Sequence, residues 1–275
     1  MPELPEVETV RATLEQFILG AQIERIEVYW PKMIQELSVS SFTSRLCGQT
    51  LQSIQRRGKH LLFVFDHEVL ISHLRMEGKY YIDTHDAPKR RHEHVTFFFT
   101  DGRKLIYDDV RKFGTFHLRT PQQLFTSPPL LALGLEPHDE GFSGAYLKDK
   151  LKRRQQAIKT VLLDQHVVLG LGNIYVDEVL FCAGIHPQKK AHLIGQKKLE
   201  IVASCAQTVL EKAVALGGSS IRSYTSSLGV SGRFQNELTV HTRKDHPCKA
   251  CLTPIVKTVV GGRGTYYCPT CQTKR

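Results

Sequence analysis

At 275 residues with 41% hydrophobic content, the chain can bury one substantial core or two smaller ones, which excludes global disorder. Lys and Arg outnumber Asp and Glu by 37 to 27, and the net charge of +10 favours a polyanionic partner, nucleic acid ahead of an anionic membrane surface. With no long apolar run and no signal-peptide pattern, a soluble cytoplasmic protein is expected, and seven cysteines, four of them clustered near the C-terminus, suit metal ligation in a reducing compartment better than a disulfide framework.

The first segment is Met1-Pro2-Glu3-Leu4-Pro5-Glu6. Loss of Met1, common before a small residue, would leave the secondary amine of Pro2 beside the carboxylates of Glu3 and Glu6. An α-amine titrates near about 8, so a free-base fraction exists at neutral pH and could attack a sugar carbon. The resulting iminium would be cationic without further protonation. The same residues also suit an ordinary helix start, where a proline's missing N–H costs nothing and acidic groups offset the dipole. From Pro5 to Leu19 the apolar residues Val7, Val10, Leu14, Phe17 and Ile18 recur at helical spacing, and Gly20 supplies a stop.

Residues from about Ile23 to Arg119 read as strands, among them Leu61 to Phe65, Val69 to Leu74, Val95 to Thr100 and Lys104 to Tyr107. Asp101-Gly102 marks a hairpin turn, and an antiparallel β-sandwich is expected. Pro121 to Gly144 is rich in Pro and Gly and reads as a linker. From Tyr146 to Leu216 the pattern is helical, broken at Leu169-Gly170-Leu171-Gly172-Asn173 and at Gly184-Ile185-His186-Pro187. The first break lacks the third glycine of a dinucleotide fingerprint, Tyr175 standing in its place. It suits either a plain interhelical turn or a helix N-terminus that offers N–H groups and the Asn173 amide to a phosphate. Gly217 to Asn236, rich in Gly and Ser with Arg222 and Arg233 interleaved, has the composition of a functional loop.

Two residues separate Cys248 from Cys251, and two separate Cys268 from Cys271, with a hairpin-length stretch between the pairs. Four thiolates suit one tetrahedral Zn²⁺, and a closed four-cysteine site leaves no open position, so the metal is expected to be structural. An iron-sulfur cluster is the weaker alternative. Arg243, Lys244, Lys249, Lys257, Arg263, Lys274 and Arg275 give this module the cations to follow a phosphate backbone. Met76, Arg111 and Phe113 combine an apolar wedge, a planar cation and an aromatic, which could fill a base stack; by chemistry alone they are equally core or surface residues.

Taken together, the opening Met1-Pro2-Glu3-Leu4-Pro5-Glu6-Val7-Glu8-Thr9, Arg57-Gly58-Lys59, the segments His73 to Lys79 and Asp109 to Gly114, Gly170-Leu171-Gly172-Asn173-Ile174-Tyr175 and the four-cysteine module resemble the formamidopyrimidine-DNA glycosylase family across essentially the whole chain. The resemblance implies an α+β fold: an N-terminal helix plus antiparallel β-sandwich over residues 1–130, a helical domain with a helix-two-turn-helix motif and a lesion-capping loop over 131–236, and a C-terminal zinc-finger hairpin over 237–275. It implies a protein that binds double-stranded DNA containing oxidised purines and acts at the bacterial nucleoid, with one structural zinc; a monomer suits such a one-site DNA clamp. It further implies excision of 8-oxoguanine and formamidopyrimidines, followed by strand cleavage.

Residue by residue, Pro2 resembles the nucleophile, Glu3 the acid-base residue, Glu6 a supporting carboxylate and Lys59 a cation near the lesion-side phosphate. Met76, Arg111 and Phe113 resemble the set that fills the space left by an extruded base, with Arg111 facing the orphaned cytosine. His73, Asn173, Lys257 and Arg263 fall at phosphate-gripping positions. Ser219, Arg222 and Tyr224 lie in the segment resembling the lid over the lesion. One departure stands out. Where the family commonly has an aromatic in a Val-Tyr-Gly-Arg-like run, this chain has Val240-His241-Thr242-Arg243, so an adjusted phosphate contact is expected at His241.

Two other readings remain open. The sister endonuclease VIII group shares the terminal proline but prefers oxidised pyrimidines; the Leu4-Pro5 context and the Met76, Arg111 and Phe113 set favour the purine branch. A non-catalytic zinc-ribbon DNA-binding protein would explain the charge and the cysteines, yet leaves the N-terminal cluster accidental.

Overall fold

The computed structural model describes residues 1–219 and 232–273. They divide into two compact units, Met1–Ala132 with the described part of Gly217–Gly232, and Leu133–Leu216 with the described part of Arg233–Arg275.

In the first unit, helix α1 (Leu4–Ile18) is followed by strand β1 (Ile23–Val28), helix α2 (Val39–Leu46) and strands β2 (Leu51–Arg57), β3 (His60–Phe65), β4 (Val69–His73), β5 (Lys79–Thr84), β6 (Glu93–Phe99), β7 (Arg103–Asp108) and β8 (Thr115–Arg119). They make two four-stranded antiparallel sheets, ordered β1-β6-β7-β5 and β2-β3-β4-β8. Alternation along each strand sends Leu61, Phe63 and Phe65 into one core with Phe97, Phe99, Leu105, Tyr107, Phe116 and Leu118. Helix α1 adds Val7, Val10, Leu14 and Ile18 as a single stripe. Phe17, read as part of that stripe, is instead 47% exposed, because it precedes Ile18 by one residue and so points about 100° away from it. At Asp101-Gly102 the β6–β7 hairpin turns with Gly102 at φ +85°.

The second unit contains helices α3 (Gly144–Leu151), α4 (Ile158–Leu162), α5 (Asn173–Cys182) and α6 (Gln196–Ala215), then the hairpin of β9 (Val256–Val260) and β10 (Arg263–Tyr267). Helix α5 starts where the Gly-Leu-Gly-Asn break predicts, with Gly172 as its N-cap, and Gly184 at φ +60° reverses the chain after it. The cysteines require a correction. Cys182 at the end of α5 is disulfide-bonded to Cys205 of α6, one bridge in a chain whose cysteines suit metal ligation in a reducing compartment better than a disulfide framework. Helix packing sets their Cα atoms 5.9 Å apart, within bridging range, a proximity that no sequence spacing reveals. Among the described residues, no helix is long and apolar enough to cross a membrane.

Candidate functional site

At the mouth of α1, Pro2 is buried and Glu3 and Glu6 are 3% and 5% exposed. Glu3 occupies the N-cap position and Glu6 closes a capping box, its Oε2 accepting the Glu3 N–H at 2.9 Å. The other oxygen of Glu6 accepts the Ser219 N–H at 2.7 Å. Gly218 must be glycine here: it sits at φ +75°, and a Cβ would lie 2.7 Å from Glu6 Oε1. Lys59, also buried, stands in the two-residue turn between β2 and β3, where Arg57 pairs with His60 and Gly58 takes φ +57°. In the chain that carries Met1, burial lowers the terminal amine below its ordinary value; Glu3 and Glu6 oppose that shift and Lys59 reinforces it. Two carboxylates and an ammonium therefore surround the position from which a Pro2 amine would act, a set able to take up and return protons.

Two loops of the same unit carry the candidate stack-filling residues. Asp109, with no exposure, builds the second: its Oδ1 accepts the N–H of Arg111 at 3.0 Å, and its Oδ2 accepts those of Phe113 and Gly114 at 2.9 Å each. This presents Phe113 half-exposed at the loop tip, with the Arg111 guanidinium 4.7 Å from its ring centre. Met76 lies on the first loop and is partly buried. Both loops close on Tyr107. A Cβ at Gly78 would fall 2.1 Å from its hydroxyl oxygen and one at Gly114 only 1.8 Å, so neither position admits a side chain.

His73 and His60 oppose each other across β3 and β4, their rings perpendicular at 4.6 Å. Burial pushes His60 down to about 4 and His73 well below its ordinary value. The N–H of Arg75, at φ +53°, donates to His73 Nδ1 at 2.9 Å. The proton of the neutral imidazole must then sit on Nε2, which makes His73 an uncharged donor suited to a phosphate oxygen.

In the second unit the predicted phosphate contacts meet a buried network. Asp177 of α5 accepts the Lys159 ammonium on Oδ1 at 2.8 Å, and on Oδ2 the Tyr266 N–H at 3.2 Å and His241 Nδ1 at 2.9 Å; Lys159 and Asp177 are both fully buried. The neighbouring Glu178 accepts the N–H groups of Thr239, Val240 and His241 at 2.8, 3.0 and 2.9 Å. Lys159 Nζ and Asn173 Nδ2 both donate to the Gly264 carbonyl, at 3.0 and 2.9 Å. Asn173 thus spends an amide proton on the hairpin. His241 is 7% exposed with its ring edge-on to Tyr266. Lys257 and Arg263 are exposed on β9 and β10.

The Sγ atoms of Cys248, Cys251, Cys268 and Cys271 all lie within 4.8 Å of one another, with Cys248 and Cys271 3.9 Å apart and Cys251 and Cys268 3.4 Å apart. A tetrahedron with Zn–S bonds of about 2.3 Å requires S···S separations of roughly 3.8 Å, so the four thiols fit one zinc and leave it no open position. The Ala250 and Cys271 N–H groups donate to sulfur at 3.4 Å, as thiolate ligands require.

Of the predicted residues, the structure brings Pro2, Glu3, Glu6, Lys59 and Ser219 to one place, and Met76, Arg111 and Phe113 to loops sharing Tyr107. Arg222 and Tyr224 lie outside the described residues. Sequence reasoning missed Tyr107, Asp109, Lys159, Asp177 and Glu178. A signal existed for Asp177-Glu178, two adjacent carboxylates in an otherwise apolar helical stretch, because burying such a pair requires partners.

Residues 1–116 match the formamidopyrimidine-DNA glycosylase N-terminal domain, 133–225 the helix-two-turn-helix domain of the same enzymes, and 245–274 a zinc finger found in them and in isoleucyl-tRNA synthetases. The chain is 51% identical to a formamidopyrimidine-DNA glycosylase of Bacillus subtilis over the full length of both, and 52% identical to that of Bacillus licheniformis, again over both full lengths. Among solved structures, a Lactococcus lactis variant bound to DNA containing a formamidopyrimidine lesion superposes with a TM-score of 0.93 at 45% identity, over 99% of this chain and all of that one. The Lactococcus lactis enzyme bound to abasic-site DNA gives 0.92 at 45% identity over the same shares. By three domain matches in order and half of its residues identical end to end, the chain belongs to the formamidopyrimidine-DNA glycosylase family.

Proposed function

We propose that this chain is a bifunctional DNA glycosylase and abasic-site lyase of base-excision repair, which removes oxidised purines and then cleaves the strand. The observation that carries this reading is the burial of Pro2 against Glu3 and Glu6 with Lys59 beside them. The relatives' names and the lesion and abasic DNA in the Lactococcus lactis complexes point to the same substrate.

After removal of Met1, the Pro2 nitrogen attacks the anomeric carbon of the damaged nucleotide, the base leaves, and Glu3 protonates the opening sugar ring. The product is a cationic iminium, an electron sink for the two eliminations that break the flanking phosphate esters and leave a one-nucleotide gap. Glu6 holds the N-cap amide and the Ser219 amide, fixing the amine's surroundings. Lys59 supplies positive charge for a phosphate. Met76, Arg111 and Phe113 fill the emptied stack, while His73, Asn173, His241, Lys257 and Arg263 hold backbone phosphates, and the zinc keeps the hairpin that bears the last two in shape.

The division of labour follows the proposed domains: catalysis in 1–130, DNA binding and lesion capping in 131–236, and the metal module in 237–275. The enzyme acts as a monomer in the cytoplasm, at the nucleoid. Borohydride trapping tests the chemistry: processed wild type should become covalently linked to a duplex carrying 8-oxoguanine opposite cytosine, and Pro2→Gly should not trap to a comparable extent. Excision of thymine glycol in preference to 8-oxoguanine would move the chain to the pyrimidine branch.

A further inference from the structure

Two histidines assigned to phosphate contact are wired in opposite senses. His73 Nδ1 accepts an amide proton from Arg75, so its Nε2 carries a proton while the ring is neutral. His241 Nδ1 faces Asp177 Oδ2 at 2.9 Å. That carboxylate already accepts an ammonium from Lys159 and an amide from Tyr266, so it has only acceptor capacity to offer, and Nδ1 must be the donor. In the neutral ring Nε2 then bears a lone pair. Against a phosphate oxygen, that places two acceptors face to face. The contact becomes a hydrogen bond only when Nε2 is also protonated, with the imidazolium lying between the Asp177 carboxylate and the phosphate.

We propose that Asp177 is a positioning residue that fixes His241 so that it holds DNA phosphate as an imidazolium, and that this contact is lost when Nε2 is not protonated. The inference rests on the DNA-contact reading of His241 given above. The groups facing the ring are consistent with it. Helix α5 contributes Asp177 and Glu178, the latter engaged with the His241 N–H; α4 contributes Lys159, neutralised by Asp177; the hairpin contributes Tyr266, with Lys257 stacked 5.5 Å over that ring; and the ring's own segment contributes Arg243, which donates to the Leu238 and Pro247 carbonyls. Asp177 is the carboxylate that touches the ring. A tyrosine hydroxyl at the same position would donate in its neutral form and take up no proton.

The sign follows from linkage. A complex that requires the imidazolium has its highest affinity at low pH and loses affinity as pH rises, by at most tenfold per unit for one proton.

The test measures affinity of the zinc-loaded enzyme for a duplex with a tetrahydrofuran abasic analogue, at constant ionic strength between about pH 5.5 and 8.5. Wild type, His241→Tyr, His241→Ala and Asp177→Asn are compared. Log affinity should fall with pH more steeply in wild type than in His241→Tyr, by up to one proton, and Asp177→Asn, which allows the other tautomer, should be shallower than wild type. If Asp177→Asn does not fold, wild type against His241→Tyr decides alone. Equal slopes in those two proteins overturn the proposal. So does wild-type affinity in His241→Ala at every pH, since the ring would then touch no phosphate. Failure of the underlying reading looks different: no variant, nor the wild type, would prefer abasic to undamaged duplex at any pH or release 8-oxoguanine.

Discussion

Glu6 joins two distant parts of the chain, accepting the N–H of Glu3 on one oxygen and that of Ser219, at 2.7 Å, on the other. A carboxylate so placed controls both where the N-terminal amine sits and where the segment after Gly218 begins. Glu6→Gln keeps the shape but weakens both charge-assisted bonds, and its amide group can present an acceptor to only one of the two N–H groups. Single-turnover excision of 8-oxoguanine should slow by about 10–100-fold, equivalent to roughly 1.4–3 kcal/mol, with duplex affinity changed far less. An equal loss in binding and in rate would place Glu6 in DNA recognition instead.

Asp109 is a second organiser. Asp109→Ala removes the acceptor for three loop amides, and the expected stability cost is about 2–4 kcal/mol, read from urea unfolding. The more informative effect concerns Arg111 and Phe113, whose presentation depends on those bonds. Excision opposite cytosine should fall toward the rate opposite adenine, so that the ratio of the two shrinks. An undiminished ratio in a folded Asp109→Ala protein would mean that the loop finds its shape without the carboxylate.

Burial of the two histidines on β3 and β4 makes a prediction about acid stability. With His60 lowered to about 4 in the folded state and near its ordinary 6.5 when unfolded, the unfolded chain binds more protons between those values. The stabilisation is complete above about pH 6.5 and is lost as pH falls toward 4, to an extent on the order of 3 kcal/mol from His60, with His73 acting in the same direction. Urea midpoints at pH 7 and pH 4.5 should differ accordingly, and His60→Leu should reduce the difference. A midpoint independent of pH in wild type is the contrary outcome.

The metal site predicts one zinc per chain by elemental analysis. Chelation, or Cys248→Ser, should abolish tight binding to abasic duplex by releasing the β9–β10 hairpin, since metal ligation supplies about 10–16 kcal/mol to modules of this kind. The sandwich core contains none of the four ligands, so near-ultraviolet dichroism from Tyr80 and Tyr107 should survive. Full binding without zinc would remove the hairpin from the DNA contacts.

How much of this was legible in the sequence depends on range. The strands, the α5 start at Asn173 and the tetracysteine site were readable because alternation, a glycine break and paired Cys-x-x-Cys spacings are local signals. The N-terminal cluster was readable for the same reason, three of its residues falling within five positions. Asp177 with His241, separated by 64 residues, and Cys182 with Cys205 were not readable, because each depends on which helix face meets which neighbour. Tyr107 was hidden differently: as a buried strand aromatic it looks like any core residue, and only its two glycine neighbours in space disclose what its hydroxyl does.

That arrangement at Tyr107 constrains how this protein can vary. Neither Gly78 nor Gly114 stands at positive φ; a Cβ at 114 would meet Tyr107 alone, whereas one at 78 would meet the Tyr107 hydroxyl and also the Leu74 carbonyl oxygen at 2.7 Å. The three positions therefore form one steric unit. An alanine at 114 requires that residue 107 first be trimmed, one at 78 requires the Leu74 backbone to shift as well, and trimming residue 107 loosens both wedge-bearing loops at once.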